Sequence, residues 1–219
     1  MRKGRCRIGF MVSGQGRLAL EAIRHHESLE FEPCFVILDV TAAEEPENIA
    51  RQQGIFCHRL TAGPRLVVQD QIREILGNRC VDHIFLTFDR ILHEAVLELF
   101  PNRFINLHLS LLPAFQGMRP LERALEKGAP FIGATMHLVT PKVDDGPPLA
   151  QCVQAVAIDE TRESIGLKLF PLIRIMYLNV VRWASLGRIP QDPTCPAIIK
   201  GTQPGMGFIT PEPEWWPET

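Results

Sequence analysis

Short apolar runs alternate with helical patterns along the first half of the chain, and this alternation limits the fold more than any other feature. The first run, Ile8 to Val12, ends in Ser13-Gly14-Gln15-Gly16 and passes into a helical pattern from Leu18 to His25. Near-continuous apolar strands that alternate with helices are typical of a mostly parallel sheet covered on both faces. A strand, a glycine turn and a helix are also how a doubly wound α/β fold begins.

The same patterns predict the remaining elements. Strands are expected at 34–40, 55–60, 83–88 and 104–108, and helices at 44–53, 66–76, 93–100, 120–127 and 160–186. The strands at 132–139 and 149–156 are joined by a Pro/Gly/Asp loop instead of a helix, which predicts an antiparallel pair. Pro171 should kink the last helix or end its first segment. We therefore predict an α/β fold, a Rossmann-like three-layer domain with a mostly parallel, mixed sheet.

The end of the chain differs in composition from the rest. Seven prolines interrupt it without any periodicity: Pro190, Pro193, Pro196, Pro204, Pro211, Pro213 and Pro217. This pattern predicts an extended tail that lies over the surface or is partly disordered. Trp215 and Trp216 argue against full disorder, because an indole usually docks on apolar surface. We expect a folded domain over residues 1–188 and a Pro-rich C-terminal tail over residues 189–219.

Charge and cysteine content exclude several classes of function. The formal net charge of −2 offers no electrostatic grip on nucleic acid or anionic lipid. The six cysteines are too far apart for a metal-ligand knuckle or a C-x-x-C pair, and a chain with a full core does not need the alternative, paired disulfides. The basic N-terminus lacks the apolar stretch of a signal peptide, and no run approaches the ~20 apolar residues of a membrane span. We expect a reduced, soluble, cytoplasmic protein with no metal, nucleic-acid or membrane partner.

The glycine turn at Ser13 to Gly16 is a candidate anion cradle. Backbone amides at a helix N-terminus carry partial positive charge, and glycine lets a ligand approach closely. A dinucleotide motif would continue with a third glycine, where this chain has Ala19. Two alternatives stay open: a dinucleotide cofactor, because alanine is sometimes accepted there, and glycines that only make the tight turn.

The densest cluster of polar residues in an apolar setting lies between residues 104 and 148. Asn106 and His108 are two apart on a predicted strand, so they share one face at its carboxyl end, where open α/β sheets bind ligands. An amide donor beside an imidazole can stabilise the oxyanion formed when a nucleophile attacks a carbonyl. Asp144, in the Pro/Gly loop, can orient the imidazole or take a proton. Taken singly, His108 would be a satisfied strand histidine and Asp144 part of a solvated turn.

This cluster resembles the signature of the folate-dependent formyltransferase and hydrolase superfamily. That signature is Asn-x-His followed by Ser-Leu-Leu-Pro, and later an Asp just before Gly-Pro. The matching positions are Asn106, His108, Ser110 to Pro113, Asp144 and Gly146-Pro147. The similarity spans roughly residues 7–188, and the segments 112–120 and 132–135 look most like the deformylases of the superfamily.

The resemblance implies a formyltransferase-like catalytic domain over residues 1–188, which binds 10-formyltetrahydrofolate and no metal. Asn106 and His108 are the implied oxyanion donors, and Asp144 orients His108 and relays the proton. The implied folate-binding residues are Phe88, Asp89, Arg90, Ile91, Leu92, Leu97, Val139 and Thr140. The implied substrate-binding residues are Gly14, Gln15, Gly16, Arg17 and Gly117.

The chain departs from the family pattern at three points. The glycine turn continues with Arg17 where ribonucleotide transformylases have serine, Leu109 stands where proline is frequent, and Asp89 replaces an apolar residue beside the pterin site.

The reaction implied is formyl transfer to the amine of a small-molecule acceptor. Two alternatives stay open: hydrolysis with water as the nucleophile, and a non-catalytic folate- or nucleotide-binding relative. The chain length leaves no room for a tRNA-binding barrel or an ACT domain, so we expect a stand-alone enzyme. A homodimer also stays open.

Overall fold

A mixed sheet runs through the part of the chain that the computed structural model describes, residues 4–157, 159–190, 199–205 and 207–217. Its eight strands there are β1 (Cys6–Val12), β2 (Phe31–Leu38), β3 (Phe56–Arg59), β4 (His83–Thr87), β5 (Phe104–His108), β6 (Phe131–Leu138), β7 (Pro148–Ala155) and β8 (Ile209–Thr210). The spatial order is β3-β2-β1-β4-β5-β6-β7-β8. Strands β1 to β5 pair in parallel, whereas β5 to β8 pair antiparallel. The predicted mixed, mostly parallel sheet is confirmed.

Helices cover both faces of the sheet. They are α1 (Arg17–Arg24), α2 (Glu45–Gln52), α3 (Arg65–Gly77), α4 (Glu94–Leu97), α5 (Pro120–Glu126) and α6 (Arg162–Ser185). Buried apolar side chains form two clusters. One packs α1, α2, α5 and α6 against one face, and the other packs α3 and α4 against the opposite face. The predicted three-layer α/β arrangement is therefore confirmed.

The central strands are apolar along their whole length because both faces are covered. In β1 the residues from Ile8 to Val12 are buried, as expected for a strand in a parallel sheet between two helical layers. Gly9 has a packing reason to be glycine: a Cβ there would lie 2.1 Å from the ring of Phe35 on β2. The aromatic ring thus occupies the space that a side chain on β1 would need.

One helix differs from the prediction in length, and the structure removes one of two alternatives for another. Helix α4 has four residues, whereas a helix over 93–100 was expected. Helix α6 is continuous, so Pro171 does not end a first segment. By length and composition α6 is apolar enough to cross a membrane, so the expectation that no run approaches that length is wrong. Half of its most apolar window is buried against the sheet, which the core helix of a globular protein also shows.

The described part of the C-terminal tail lies against the domain and adds one short strand to the sheet. Strand β8 pairs antiparallel with β7 at the edge of the sheet. Asn179 of α6, completely buried, donates from Nδ2 to the backbone oxygen of Trp215 at 2.7 Å and accepts the backbone N–H of Glu214 and of Trp215, both at 2.8 Å. The indole of Trp215 also contacts the ring of His25, with ring centroids 5.3 Å apart. Pro193, Cys195 and Pro196 lie outside the described residues, and the boundary at 188/189 stays a prediction.

The contacts of Asn179 lead to a stability prediction. Asn179→Ala leaves two backbone N–H groups and one carbonyl oxygen of the tail without their partner, which should lower the free energy of unfolding by about 1–3 kcal/mol. Urea unfolding measures this difference. The control is Asn48→Ala on the exposed side of α2, which we expect to be nearly neutral. Equal values for the two variants would show that the tail is not held by Asn179.

The cysteines of the described chain are unpaired. Cys6, Cys34, Cys57, Cys80 and Cys152 are free thiols. Burial raises the pKa of Cys6 and of Cys152 to about 12, so neither is a reactive thiolate near neutral pH. The predicted cytoplasmic location stays a prediction.

Candidate active site

A cleft of about 330 Å³ opens at the carboxyl ends of β4 and β5. The segment 87–92 leaves β4 on one side, Asn106 and His108 end β5 at its floor, and the loop between β6 and β7 brings Asp144 to the other side. This volume lies within the range of small-molecule sites, and the position is where open α/β sheets bind ligands. The three predicted catalytic residues therefore lie in one cavity.

The residues predicted to bind folate also line this cleft. All eight are in its wall: Phe88, Asp89, Arg90, Ile91, Leu92, Leu97, Val139 and Thr140. Gly117, predicted to contact the substrate, lines it as well. Their roles stay predictions, but the structure gathers them at one site from three separate segments.

His108 and Asp144 form the polar centre of the cleft. Oδ2 of Asp144 lies 3.3 Å from Nδ1 of His108, and the two side chains are 11% and 8% exposed. Oδ2 also accepts the backbone N–H of Gly117 at 2.9 Å. The other ring nitrogen, Nε2, lies 3.0 Å from the carbonyl oxygen of Phe115. Because a carbonyl only accepts, Nε2 carries a hydrogen, and a second hydrogen on Nδ1 would set an imidazolium beside the carboxylate of Asp144.

The backbone around Asp144 explains how its loop reaches the ring. Asp144 has φ +52°, a left-handed conformation that aspartate tolerates better than most residues. Its carbonyl oxygen accepts a hydrogen bond from Nε2 of Gln116 at 2.9 Å. At Gly146 a Cβ would lie 1.7 Å from the carbonyl oxygen of Leu138. The loop can pack against β6 because this position is glycine.

The Ser-Leu-Leu-Pro segment forms the support beneath His108. Oγ of Ser110 donates to the carbonyl oxygen of Ala114 at 2.6 Å, and Oγ1 of Thr135 donates to the carbonyl oxygen of Ser110 at 2.6 Å. Oγ1 of Thr135 also accepts the backbone N–H of Leu112 at 3.1 Å. These bonds fix the turn that carries Phe115, whose carbonyl oxygen orients His108.

His137 belongs to this site although the sequence did not single it out. It faces Asn106 across the antiparallel pair of β5 and β6. Its Nε2 lies 3.1 Å from Nδ2 of Asn106 and 3.6 Å from Oδ1 of Asp144. Burial lowers the pKa of His137, an effect that the carbonyl of Leu138 and the charge of Asp144 partly oppose. The sequence signal for it is a polar residue near the end of an apolar strand, inside the polar cluster of residues 104–148.

Arg90 is held by an ion pair with a buried carboxylate. Its Nε lies 2.7 Å from Oδ1 of Asp39, whose side chain is 4% exposed. Oγ of Ser13 lies 3.4 Å from the other oxygen of Asp39 and accepts the backbone N–H of Asp89 at 3.0 Å. The segment that follows β4 is thus tied to the start of the glycine turn. Burial, and secondly the charge of Asp39, raise the pKa of Asp89.

The structure does not bring the glycine turn into this cleft. Residues 14–16 line neither the cleft nor a second cavity of about 200 Å³ between α1 and α6, whereas Arg17 lines the second cavity. The guanidinium of Arg17 lies 4.6 Å from the ring centroid of Phe170. The carbonyl oxygen of Gly14 accepts the backbone N–H of Ala43 at 2.7 Å. Within the described chain these glycines make the turn, and substrate contact by residues 14–17 stays a prediction.

Metal-ligating side chains are not clustered in the described ranges. Among those residues, no group of three or more His, Cys, Asp or Glu side chains is arranged to hold a metal ion. The polar groups of the cleft pair with one another instead.

An Asn, His and Asp constellation at the carboxyl edge of an α/β sheet is suited chemically to stabilise an oxyanion and to move a proton beside it. The formyl transferase family model matches residues 6–181, and the chain belongs to this family. The resemblance to the superfamily of folate-dependent formyl transfer and deformylase enzymes is confirmed.

The relatives of this chain include both deformylases and formyltransferases. The chain is 34% identical to the formyltetrahydrofolate deformylase of Bacillus subtilis (strain 168) over 149 residues, 67% of this chain and 50% of the relative. It is 28% identical to the phosphoribosylglycinamide formyltransferase of Escherichia coli (strain K12) over 167 residues, 74% of this chain and 79% of the relative. The crystal structure of glycinamide ribonucleotide transformylase 1 from Symbiobacterium toebii superposes with a TM-score of 0.78 at 29% identity, over 86% of this chain and 92% of that one. The chain spans half the length of the deformylase that it matches.

Proposed function

We propose that this protein transfers the formyl group of 10-formyltetrahydrofolate to the amine of a small-molecule acceptor. The observation that carries the proposal is the pair of His108 and Asp144, 3.3 Å apart, beside Asn106 in one cleft. Attack on a formyl carbon needs donors for the oxyanion and a path for the amine proton, and these side chains supply both. Membership of the formyl transferase family supports the choice of substrate.

The transfer needs no reactant besides the formyl-folate and the amine. The amine nitrogen of the acceptor attacks the formyl carbon, a C–N bond forms, and the formyl oxygen becomes an oxyanion. An N–H of Asn106 and the charge of the His108 imidazolium stabilise this oxyanion. For this, Nε2–H of His108 donates both to the carbonyl oxygen of Phe115 and to the oxyanion. As the oxyanion collapses to a carbonyl, the bond between the formyl carbon and N10 breaks. The amine proton passes through the pair of His108 and Asp144 to N10, which leaves as N–H. The products are the N-formyl acceptor and tetrahydrofolate.

The apolar wall of the cleft suits the flat ring system of the folate. Leu92 and Leu97 are part of the apolar cluster between the sheet and helices α3 and α4, and Phe88 and Val139 pack against it. A planar heterocycle gains from burial against such a wall. We propose that the pterin lies here, with the formyl group directed toward Asn106 and His108.

Hydrolysis is the second candidate function. Identity is higher to the Bacillus subtilis deformylase, 34%, than to the Escherichia coli formyltransferase, 28%. The same three side chains would then activate the formyl group for attack by water, which gives formate and tetrahydrofolate. Whether the nucleophile is an amine or water is therefore the question for experiment.

A single-turnover assay separates these functions. Protein in excess over 10-formyltetrahydrofolate is mixed with and without glycinamide ribonucleotide and other small amines, and tetrahydrofolate and formate are measured. We expect tetrahydrofolate to form only with an amine present, at a rate that rises with the amine concentration. Formate released equally without amine would establish hydrolysis. A thermal shift with a formyl-folate analogue but no turnover would establish a non-catalytic binding protein.

The partners stay predictions. The net charge of −2 supports a small-molecule substrate over nucleic acid or an anionic membrane. A homodimer is a proposal that sedimentation can test.

A further inference from the structure

The ring of His137 makes contacts that the proposed chemistry has not used. Its side chain is 2% exposed. Nδ1 lies 2.9 Å from the carbonyl oxygen of Leu138, and Nε2 lies 3.1 Å from Nδ2 of Asn106. We infer that His137 is a positioning residue, which fixes the side-chain amide of Asn106 so that one N–H stays directed at the reacting carbonyl. This inference rests on the proposed function.

The two contacts of the ring determine where its hydrogen lies. The carbonyl oxygen of Leu138 only accepts, so Nδ1 carries the hydrogen. Burial favours the neutral ring, which leaves a lone pair on Nε2. Only a donor can face that lone pair favourably. In this tautomer the atom of Asn106 that faces the ring has to be nitrogen, because Oδ1 would set two acceptors against each other.

The orientation of the Asn106 amide decides whether an N–H or an oxygen faces the cleft. Nδ2 has two hydrogens, and one of them goes to His137. Asn106 lines the cleft, so the second N–H is available to an oxygen there. A turned amide would present its own oxygen to the developing oxyanion and repel it. A donor that is already aligned needs no reorganisation during the reaction, which is the main source of stabilisation in oxyanion sites.

A neutral His137 ring also leaves the carboxylate of Asp144 free to pair with His108. Oδ2 of Asp144 lies 3.3 Å from Nδ1 of His108, whereas Oδ1 lies 3.6 Å from Nε2 of His137. The two imidazole rings meet edge to face, with centroids 6.5 Å apart. A hydrogen on Nε2 of His137 would compete for the same carboxylate and turn the ring away from Asn106. A single tautomer therefore keeps both Asn106 and Asp144 in their roles.

A double-mutant cycle tests the inference. His137→Leu should lower kcat for formyl release by about tenfold with little change in KM, because the donor is retained but no longer aligned. In the Asn106→Ala background the same change should alter kcat by less than about twofold, since the amide to be positioned is gone. His137→Gln, whose Oε1 can accept from Asn106, should restore most of the activity. An equal loss of kcat in both backgrounds would show that His137 has only a structural role.

A matched control uses another buried histidine. His83 lies at the start of β4, is 5% exposed, and its Nδ1 has no hydrogen-bond partner in the described chain. His83→Leu removes a histidine of similar burial far along the sheet from the cleft. We expect kcat to stay within about twofold of the wild-type value, so a loss in His137→Leu alone is assigned to the site.

A measurement without turnover keeps the inference separate from the proposed function. Nitrogen-15 spectra of labelled histidines show which ring nitrogen carries hydrogen. We expect Nδ1–H and a bare Nε2 for His137 at neutral pH, and a shift of the Nε2 signal in Asn106→Ala. A hydrogen on Nε2 would overturn the inference even in an active enzyme. Absence of formyl release with the expected spectrum would overturn only the proposed function.

Discussion

Asp144→Asn is expected to lower the turnover of formyl release by about 10²- to 10⁴-fold. The change removes the negative charge 3.3 Å from Nδ1 of His108 and keeps the size and shape of the side chain nearly the same. Without the carboxylate, the imidazolium loses its counterion and the amine proton loses its acceptor. Because φ is +52° at this position, and asparagine adopts left-handed backbone as readily as aspartate, the loop should keep its conformation.

The neighbouring aspartate supplies a matched control. Asp145 is exposed, and its Oδ1 pairs with Nζ of Lys142 at 2.8 Å. Asp145→Asn removes the same charge one residue away, outside the contact with His108, and should leave turnover within about twofold. Single-turnover rates at saturating 10-formyltetrahydrofolate and thermal unfolding of both variants complete the comparison. If the two variants react equally fast, Asp144 has no part in the proton path.

Much of the fold was predictable because hydrophobic burial is visible in the sequence. A strand covered on both faces is apolar along its whole length, and β5 was predicted with the bounds that the structure shows, Phe104–His108. Short or edge elements carry less signal. Strand β8 has two residues in a proline-rich segment, and its existence depends on pairing with β7, which no local pattern reports. Helix α4 makes one turn, a length too short for periodicity to define.

The candidate site was predictable where one element carries the pattern. Period-two geometry placed Asn106 and His108 on one face of β5, the Pro/Gly loop offered Asp144, and the resemblance favoured a catalytic role for all three. His137 was missed because its role depends on the register of two strands, which sets Asn106 opposite His137. Arg17 turns toward Phe170 for a similar reason, since the contact arises from the packing of α1 beside α6. Contacts between elements are fixed by tertiary packing, and a single sequence does not display it.

Asn106→Ala is expected to lower turnover by about 10²- to 10³-fold with KM changed by only a few fold, because an oxyanion donor acts mainly in the transition state. Asn106→Asp is the sharper companion. It keeps the shape but puts oxygen where Nδ2 meets the lone pair of His137 at 3.1 Å. A carboxylate there also repels the oxyanion, so turnover should be no higher than in the alanine variant. Asn48→Ala serves as the surface control. Wild-type turnover in both Asn106 variants would mean that the charge on the formyl oxygen is stabilised elsewhere in the cleft.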